Sequence, residues 1–151
     1  MDFQKLRAAA DAAKACQATT GLPAEVSMAQ WADESGWGAH SPGFNCFGIK
    51  AFRGAYGTQE LTTHETINGE DRTVKQTFAT FPTLQACFEK HAQLITEGPR
   101  YQKAWTTYQA TGDVAQLIRQ IAPIYATDPR YGEKLLTLTR MQQIQASLQQ
   151  A

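Results

Sequence analysis

The strongest local signal in the chain is a β-hairpin at residues 61–78, LTTHETINGEDRTVKQTF. Asn-Gly is the most favourable two-residue hairpin turn, because both turn positions require a positive φ, and the flanking residues here are rich in Thr and Val. A two-residue turn at Asn68 and Gly69 would place Glu65 opposite Arg72. The strand period of two then predicts one shared face, made of Leu61, Thr63, Glu65, Arg72, Val74 and Gln76.

The chain is predicted to be helical on both sides of this hairpin. An Ala-rich helix at 3–18 has one apolar face, and a second helix runs from Pro23 to the glycine at position 36. After the hairpin, apolar side chains recur at the spacing of an amphipathic helix that ends at Gly98. The first apolar face comprises Phe3, Leu6, Ala10, Ala13 and Cys16, and the later one comprises Leu84, Cys87, Phe88, His91, Leu94 and Ile95.

Three more helical segments follow the amphipathic helix. One surrounds Trp105, one begins after Asp113 as its N-cap, and one runs from Pro129 onward as a single helix. We expect Thr127 or Asp128 to cap this last helix, whose apolar residues are Leu135, Leu138, Met141 and Leu148. The sequence therefore predicts the α+β class: a mostly helical domain with one hairpin between its second and third helices.

Length and charge limit the classes of protein to consider. The chain has 151 residues, which is enough for one compact domain, and it is 42% hydrophobic, as in an ordinary globular protein. Fourteen basic residues balance fourteen acidic ones, and no third of the chain departs from neutrality by more than two charges. This balance argues against binding to nucleic acid, which requires a concentrated basic face. It leaves open a polymer bound by hydrogen bonds and stacking, such as a sugar chain.

Metal, disulfide and nucleotide chemistry find no support in the sequence. The three cysteines (Cys16, Cys46 and Cys87) form no CxxC or Cys/His cluster, so we expect buried free thiols and no metal or cofactor. His91 lies in an apolar helical stripe and is predicted to be a core histidine. No apolar run is long enough to span a bilayer, and the N-terminus lacks the apolar core of a signal peptide.

Glu34 is the first candidate for catalysis. It ends the second helix within ESGWG, immediately before a glycine- and aromatic-rich loop. The negative end of the helix dipole and crowding by Trp31 and Trp37 would both raise its carboxyl pKa, as a general acid near neutral pH requires. The alternative is an ordinary solvated surface glutamate.

Glu65 is the second candidate, because glycosidic hydrolysis usually needs a second carboxylate. It lies on the hairpin, further from the turn than Glu70 and Asp71. The alternative interpretation is a cross-strand ion pair with Arg72.

Four segments, in order, resemble one known family. AQWADESGWG at 29–38 and NCFGIKA at 45–51 are similar to the AQ-x-x-x-ESGWG and N-x-FGIKA signature of the glycoside hydrolase family 73 N-acetylglucosaminidases. THETINGE at 63–70 and YATDPRYGEKL at 125–135 resemble two further motifs of that family. The resemblance implies a lysozyme-like fold and cleavage of the β-1,4 bond after N-acetylglucosamine in peptidoglycan. Cys46 departs from the family's usual aliphatic residue.

The resemblance also assigns roles to residues. It implies Glu34 as general acid, Glu65 as second carboxylate, and Tyr125 as the tyrosine that orients substrate or water, with Tyr131 as the alternative. Aromatic rings and loop groups are expected to hold the sugars, although Asn45 could instead brace its loop. These predicted substrate-binding residues are Trp37, Asn45, Phe47, Gly48, Lys50, Tyr101 and Tyr131.

Two other functions remain open at this point, a lytic transglycosylase, which needs no second carboxylate, and a non-catalytic wall-binding module. We expect residues 1–151 to form a single monomeric catalytic domain with no wall-binding module, acting on the glycan strand of the cell wall in the periplasm or outside the cell. Without a signal peptide, such a domain would need phage lysis, a secretion apparatus or an export signal elsewhere to reach its substrate.

Overall fold

The structure is a computed structural model and describes residues 1–150. Within these residues, seven α-helices form a helical body to which one antiparallel hairpin is attached, which confirms the predicted α+β class. The helices are α1 (Phe3–Thr20), α2 (Ala24–Ser35), α3 (Leu84–Glu97), α4 (Gln102–Thr111), α5 (Val114–Tyr125), α6 (Tyr131–Thr139) and α7 (Gln142–Gln149). The strands are β1 (Gly57–Ile67) and β2 (Glu70–Thr80), and short 3-10 turns occupy Pro42–Phe44 and Pro99–Tyr101.

The first two helices form the centre of the core. Asp2 caps α1 by accepting from the backbone N–H groups of Gln4 and Lys5, and Gly21 ends it with φ 84°. Helix α1 packs against α2, α3 and α7, while α2 packs against α6. One prediction for α1 is wrong: Phe3 is 71% exposed, because it begins the helix beyond the surface that these neighbours cover.

The hairpin has the predicted register, with Glu65 opposite Arg72 and a turn at Asn68 and Gly69. Its attachment to the helical body lies at one end only. There, a bridge joins Lys50 to Phe78, and the Ala79 N–H donates to the Ile49 carbonyl at 3.0 Å. One face of the hairpin is half-buried as predicted, except that Arg72 is exposed.

The C-terminal segment is two helices, which corrects the prediction of one. Helix α6 begins at Tyr131, after a turn in which Asp128 accepts from the Arg130 N–H at 2.9 Å, so neither predicted residue is its N-cap. The chain leaves helical geometry at Met141, where φ is −66° and ψ is 137°. The Gln145 side chain donates to the freed Thr139 carbonyl at 2.5 Å. This break lets α7 bury Ile144 against the core.

The cysteine and histidine predictions are confirmed. All three cysteines are free and buried, and the Cys46 and Cys87 sulfur atoms lie 3.6 Å apart. His91 is fully buried inside α3. Across residues 1–150, the helices are too short or too polar to cross a membrane.

Candidate active site

Glu34 lies in a surface cleft of about 660 Å³ between the loop after α2 and the helices α3 and α5. It occupies the last turn of α2, which Gly36 ends in the left-handed conformation at φ 57°. Because the helix ends there, the Glu34 carboxyl forms part of the cleft wall. The Tyr131 hydroxyl holds it by donating to Glu34 Oε1 at 3.1 Å.

The pKa of Glu34 is raised from 4.5 to about 7. Burial of the carboxyl by surrounding protein is the largest cause, and the nearby Asp33 charge adds to it. The hydrogen bond from Tyr131 acts in the opposite direction, because it stabilises the ionised form. The residue as a whole remains open to solvent on the cleft side. A carboxylic acid that is half protonated near neutral pH and faces a cleft can donate a proton to a bound substrate.

A line of buried polar groups continues behind Tyr131. Gln30 Nε2 donates to the Tyr131 hydroxyl at 3.1 Å, and Gln30 Oε1 lies 2.7 Å from His91 Nε2. Gln30 and His91 are both fully buried, and burial lowers the pKa of His91 to about 3, so its ring is neutral. Glu34 is therefore connected to the interior of the helical body through three successive side chains.

The two candidate tyrosines have different positions. Tyr125 lines the cleft, but its hydroxyl donates to the Phe47 carbonyl at 3.0 Å. Tyr131 stacks on Tyr125 with ring centroids 5.9 Å apart and is only 3% exposed. Tyr131 therefore contacts Glu34 from the protein interior, and its ring has no exposed face on which a sugar could stack.

Four of the predicted binding residues line the cleft with Glu34, namely Phe47, Gly48, Lys50 and Tyr101. Gly48 has φ +65°, and no atom lies within 4 Å of the position that a Cβ would take, so its backbone is open to a ligand. Lys50 is exposed and Tyr101 is half-buried.

The Asn45 side chain and the Phe47 ring are both buried, in contrast to the prediction that they present groups to the substrate. Asn45 donates to the Ile49 and Ala79 carbonyls at 2.8 and 2.9 Å and accepts from the Ile49 N–H at 3.0 Å. Its side chain thus braces the loop. Phe47 contributes to the cleft wall, but its ring is buried and stacks on His91 at 3.9 Å, so the ring is not exposed as a platform for a sugar.

Trp37 is the third departure, because the structure does not bring it to the cleft. Gly36 and Trp37 both have positive φ, which turns the chain back over the outside of the helical body. Trp37 packs edge-on against Trp31 at 6.0 Å and borders a depression beside Lys5. Its indole therefore supports the start of α1 instead of facing Glu34.

Glu65 lies on the outer half of the hairpin and does not line the cleft. It follows Gln59, the partner of Phe78 at the base, by six residues, which is about 20 Å along a strand. Its carboxylate accepts a hydrogen bond from the Gln76 side chain. Arg72 instead lies 3.4 Å from Glu70, so the alternative of an ion pair between Glu65 and Arg72 is wrong.

Several cleft residues were missed from the sequence. Lys90 stands 4.0 Å over the Phe52 ring, and Arg100 donates to the Ile124 carbonyl at 3.2 Å. They come from α3 and from the turn before α4, and only the fold brings them beside Glu34. Gln30 could have been suspected, because it precedes Glu34 by one helical turn. Within residues 1–150, no group of three or more His, Cys, Asp or Glu side chains is placed to hold a metal ion.

Residues 10–144 match the family model described as mannosyl-glycoprotein endo-β-N-acetylglucosaminidase, or glucosaminidase. The chain belongs to the glucosaminidase family of glycoside hydrolases. It is 36% identical over 135 residues to the peptidoglycan hydrolase FlgJ of Salmonella typhimurium, an alignment that covers 84% of this chain and 41% of FlgJ. It is 33% identical over 137 residues to a probable N-acetylmuramidase of Lactococcus lactis subsp. lactis, covering 83% of this chain and 30% of that protein.

The fold agrees with this membership. A C-terminally truncated glycoside hydrolase domain of Salmonella typhimurium FlgJ superimposes with a TM-score of 0.72 at 32% identity, covering 95% of this chain and 97% of that one. The lysozyme-like fold that the resemblance implied is thereby confirmed. The chain spans about two fifths or less of the length of these two curated relatives.

Proposed function

We propose that this glucosaminidase hydrolyses peptidoglycan at the β-1,4 bond after N-acetylglucosamine, with Glu34 as the general acid. The observation that carries the proposal is the position of Glu34, whose carboxyl faces the cleft with a pKa of about 7. A substantial fraction of Glu34 is then protonated at neutral pH and can protonate the glycosidic oxygen as the bond breaks. The peptidoglycan-hydrolase names of the relatives support the same polymer.

Charges around the cleft favour an anionic glycan over a neutral one. Lys50, Lys90 and Arg100 line it, whereas Glu34 supplies its one carboxylate within the described chain. The muramic acid of peptidoglycan carries a lactyl group that ends in a carboxylate or in a peptide with carboxylates. These three cations would attract such groups, while a neutral chitin chain would gain nothing from them.

Glu65 is our candidate for the second carboxylate, acting as base toward water. Its present place on the outer hairpin requires the hairpin to bend toward the cleft when substrate binds. The hydrogen bonds that tie the hairpin to the body lie near residues 77–81, which leaves the outer half free to do so. We place this action at the cell wall, with residues 1–151 as a single catalytic domain.

Mass spectrometry of digested sacculi tests the proposal. The wild type should release fragments with reducing N-acetylglucosamine ends, and Glu34→Gln, which keeps the side-chain shape, should release almost none. Glu65→Gln should fold normally and turn over slowly. Normal lysis by Glu34→Gln would overturn the assignment of the acid.

A second specificity is suggested by the name of the Lactococcus relative, a probable N-acetylmuramidase. That activity would leave reducing N-acetylmuramic acid ends in the same digest. Ends with 1,6-anhydromuramic acid would instead identify a lytic transglycosylase, which uses a single carboxylate. Binding to sacculi without any release would identify a wall-binding module.

A further inference from the structure

Four side chains form one continuous polar line from the interior of the protein to the cleft. His91 on α3, Gln30 and Glu34 on α2, and Tyr131 on α6 are joined by contacts of 2.7, 3.1 and 3.1 Å. His91, Gln30 and Tyr131 are buried, so no bulk water competes for their hydrogen bonds. Glu34 alone in the line meets solvent.

With the Gln30 amide in this orientation, its chemistry sets the direction of every bond in the line. Gln30 Oε1 can only accept, so His91 Nε2 must carry the proton of the neutral ring. Gln30 Nε2 can only donate, so the Tyr131 oxygen accepts from it. The Tyr131 proton is then directed to the remaining partner, Glu34 Oε1.

The opposite orientation of Gln30 is less favourable. It would turn the amide N–H toward His91 Nε2 and force the ring proton onto Nδ1, which has no hydrogen-bond partner within the described residues. A buried N–H without an acceptor is rarer and more costly than an unused acceptor. The flipped amide would also present its oxygen to Tyr131 and draw the hydroxyl proton away from Glu34.

We propose that His91 and Gln30 act as positioning residues, which hold the Tyr131 hydroxyl as a donor to Glu34 Oε1 and thereby reserve Oε2 for the proton given to the substrate. A protonated carboxyl that already accepts at Oε1 carries its own proton on the other oxygen. The Tyr131 bond also favours the ionised form and so limits how far burial raises the pKa of Glu34. This inference rests on Glu34 being the acid of the proposed function.

Other charged groups around Glu34 do not depend on the line. Asp33 precedes it on α2, Lys50 faces it from the loop, and Lys90, Arg100, Tyr101 and Tyr125 line the same cleft from α3, the turn before α4, and α5. None of them forms a hydrogen bond with Gln30 or His91. Tyr125 packs edge-on against the His91 ring at 6.1 Å, and Phe at position 91 keeps a ring for that contact.

The decisive experiment compares His91→Phe with His91→Gln by the pH dependence of kcat/KM on soluble peptidoglycan fragments. Phe keeps a ring against Phe47 and removes the donor to Gln30, which frees the amide to turn and accept from Tyr131. Glu34 then loses its donor, and the alkaline limb should move upward by about 0.5–1 pH unit, with a several-fold lower kcat and an unchanged KM. Gln carries a donor at nearly the Nε2 position and should restore the wild-type profile.

Ile95→Val is the matched control. It is buried on the same helix, and its side chain has no group that can hydrogen-bond to the four polar residues, so it should lower the melting temperature without moving the alkaline limb. If His91→Phe fails to fold, Gln30→Met decides by the same criterion, since it lets the Tyr131 oxygen accept the Glu34 proton and should also raise the limb. A folded His91→Phe with the wild-type pH profile overturns the proposal.

A direct measurement separates this inference from the proposed function. The Glu34 side-chain carboxyl can be labelled with ¹³C and titrated by NMR in the free protein, where its pKa should rise in His91→Phe. If the pKa rises while Glu34→Gln retains full activity, the proposed function fails, and what remains is that His91 and Gln30 hold the Tyr131 hydroxyl as a donor to Glu34. If Glu34→Gln is inactive and the pKa of Glu34 does not move in His91→Phe, the positioning role of His91 and Gln30 is wrong and the role of Glu34 as general acid stands.

Discussion

Replacing Glu34 by Gln should make the protein more stable at pH 8 and leave its stability unchanged at pH 4. Burial raises the pKa of Glu34 from 4.5 to about 7, so folding is easier when this carboxyl is protonated. Below pH 4.5 both the folded and the unfolded chain carry the proton, and the neutral acid resembles Gln. As pH rises through 7, the folded wild type must accommodate the charge and loses this contribution.

The magnitude follows from the size of the shift. About 2.5 pH units correspond to an upper limit of about 3.4 kcal/mol. Solvent reaches Glu34 from the cleft and screens the charge, so we expect about 1 kcal/mol of extra stability for Glu34→Gln at pH 8. The variant keeps an oxygen that can accept from Tyr131, so the hydrogen bond is not lost.

Urea unfolding at pH 4 and pH 8 measures this difference directly. Glu97→Gln is a suitable control, because Glu97 is exposed at the end of α3 and its replacement should stay within about 0.5 kcal/mol at both values. Equal stability of Glu34→Gln and wild type at pH 8, or a loss of stability there, would refute the burial argument. The same variant should be inactive. Glu34 would then be required for activity although its charge destabilises the folded protein at pH 8.

Four further outcomes are expected. Glu65→Gln should lower turnover strongly without changing the melting temperature, because the outer hairpin is only half-buried. Asn45→Ala should lower the free energy of unfolding by about 2–4 kcal/mol in urea titrations, since two buried carbonyls and an N–H lose their partner. Lys50→Gln should raise KM for peptidoglycan at low salt and flatten the salt dependence of kcat/KM, with no effect on a neutral chitin oligomer. Trp37→Ala should retain kcat/KM in the lysis assay, and a large loss would place Trp37 at the substrate after all.

Local patterns predicted the elements well, and the reasons are visible in single residues. Asn68 and Gly69 set the hairpin register, because the turn chemistry is local. Glycine at position 36 ended α2 where expected. The single C-terminal helix was a wrong prediction because its break depends on Gln145 reaching the Thr139 carbonyl, a contact that apolar periodicity does not contain.

The site was harder to predict because the orientation of a side chain depends on tertiary contacts. Glu34 was identified from its position at a helix end, and its raised pKa was expected in direction. The sequence suggests that the rings of Phe47 and Trp37 stack on sugars. In the structure, Phe47 stacks on His91 and Trp37 packs edge-on against Trp31. Lys90 and Arg100 lie far from Glu34 along the chain, so only the packing of α3 and the turn before α4 shows them as neighbours.

The two carboxylates differ in how firmly the fold holds them, and this difference has a consequence for the order of events. Glu34 is oriented in the free protein by Tyr131 and by the buried groups behind it, so its carboxyl needs no ordering when substrate binds. Glu65 lies about 20 Å along the hairpin from its attachment and is held by Gln76 on the neighbouring strand. Under the proposed roles, binding energy from the glycan must bring Glu65 to a Glu34 that is already in place, so shortening the glycan should reduce kcat as well as affinity.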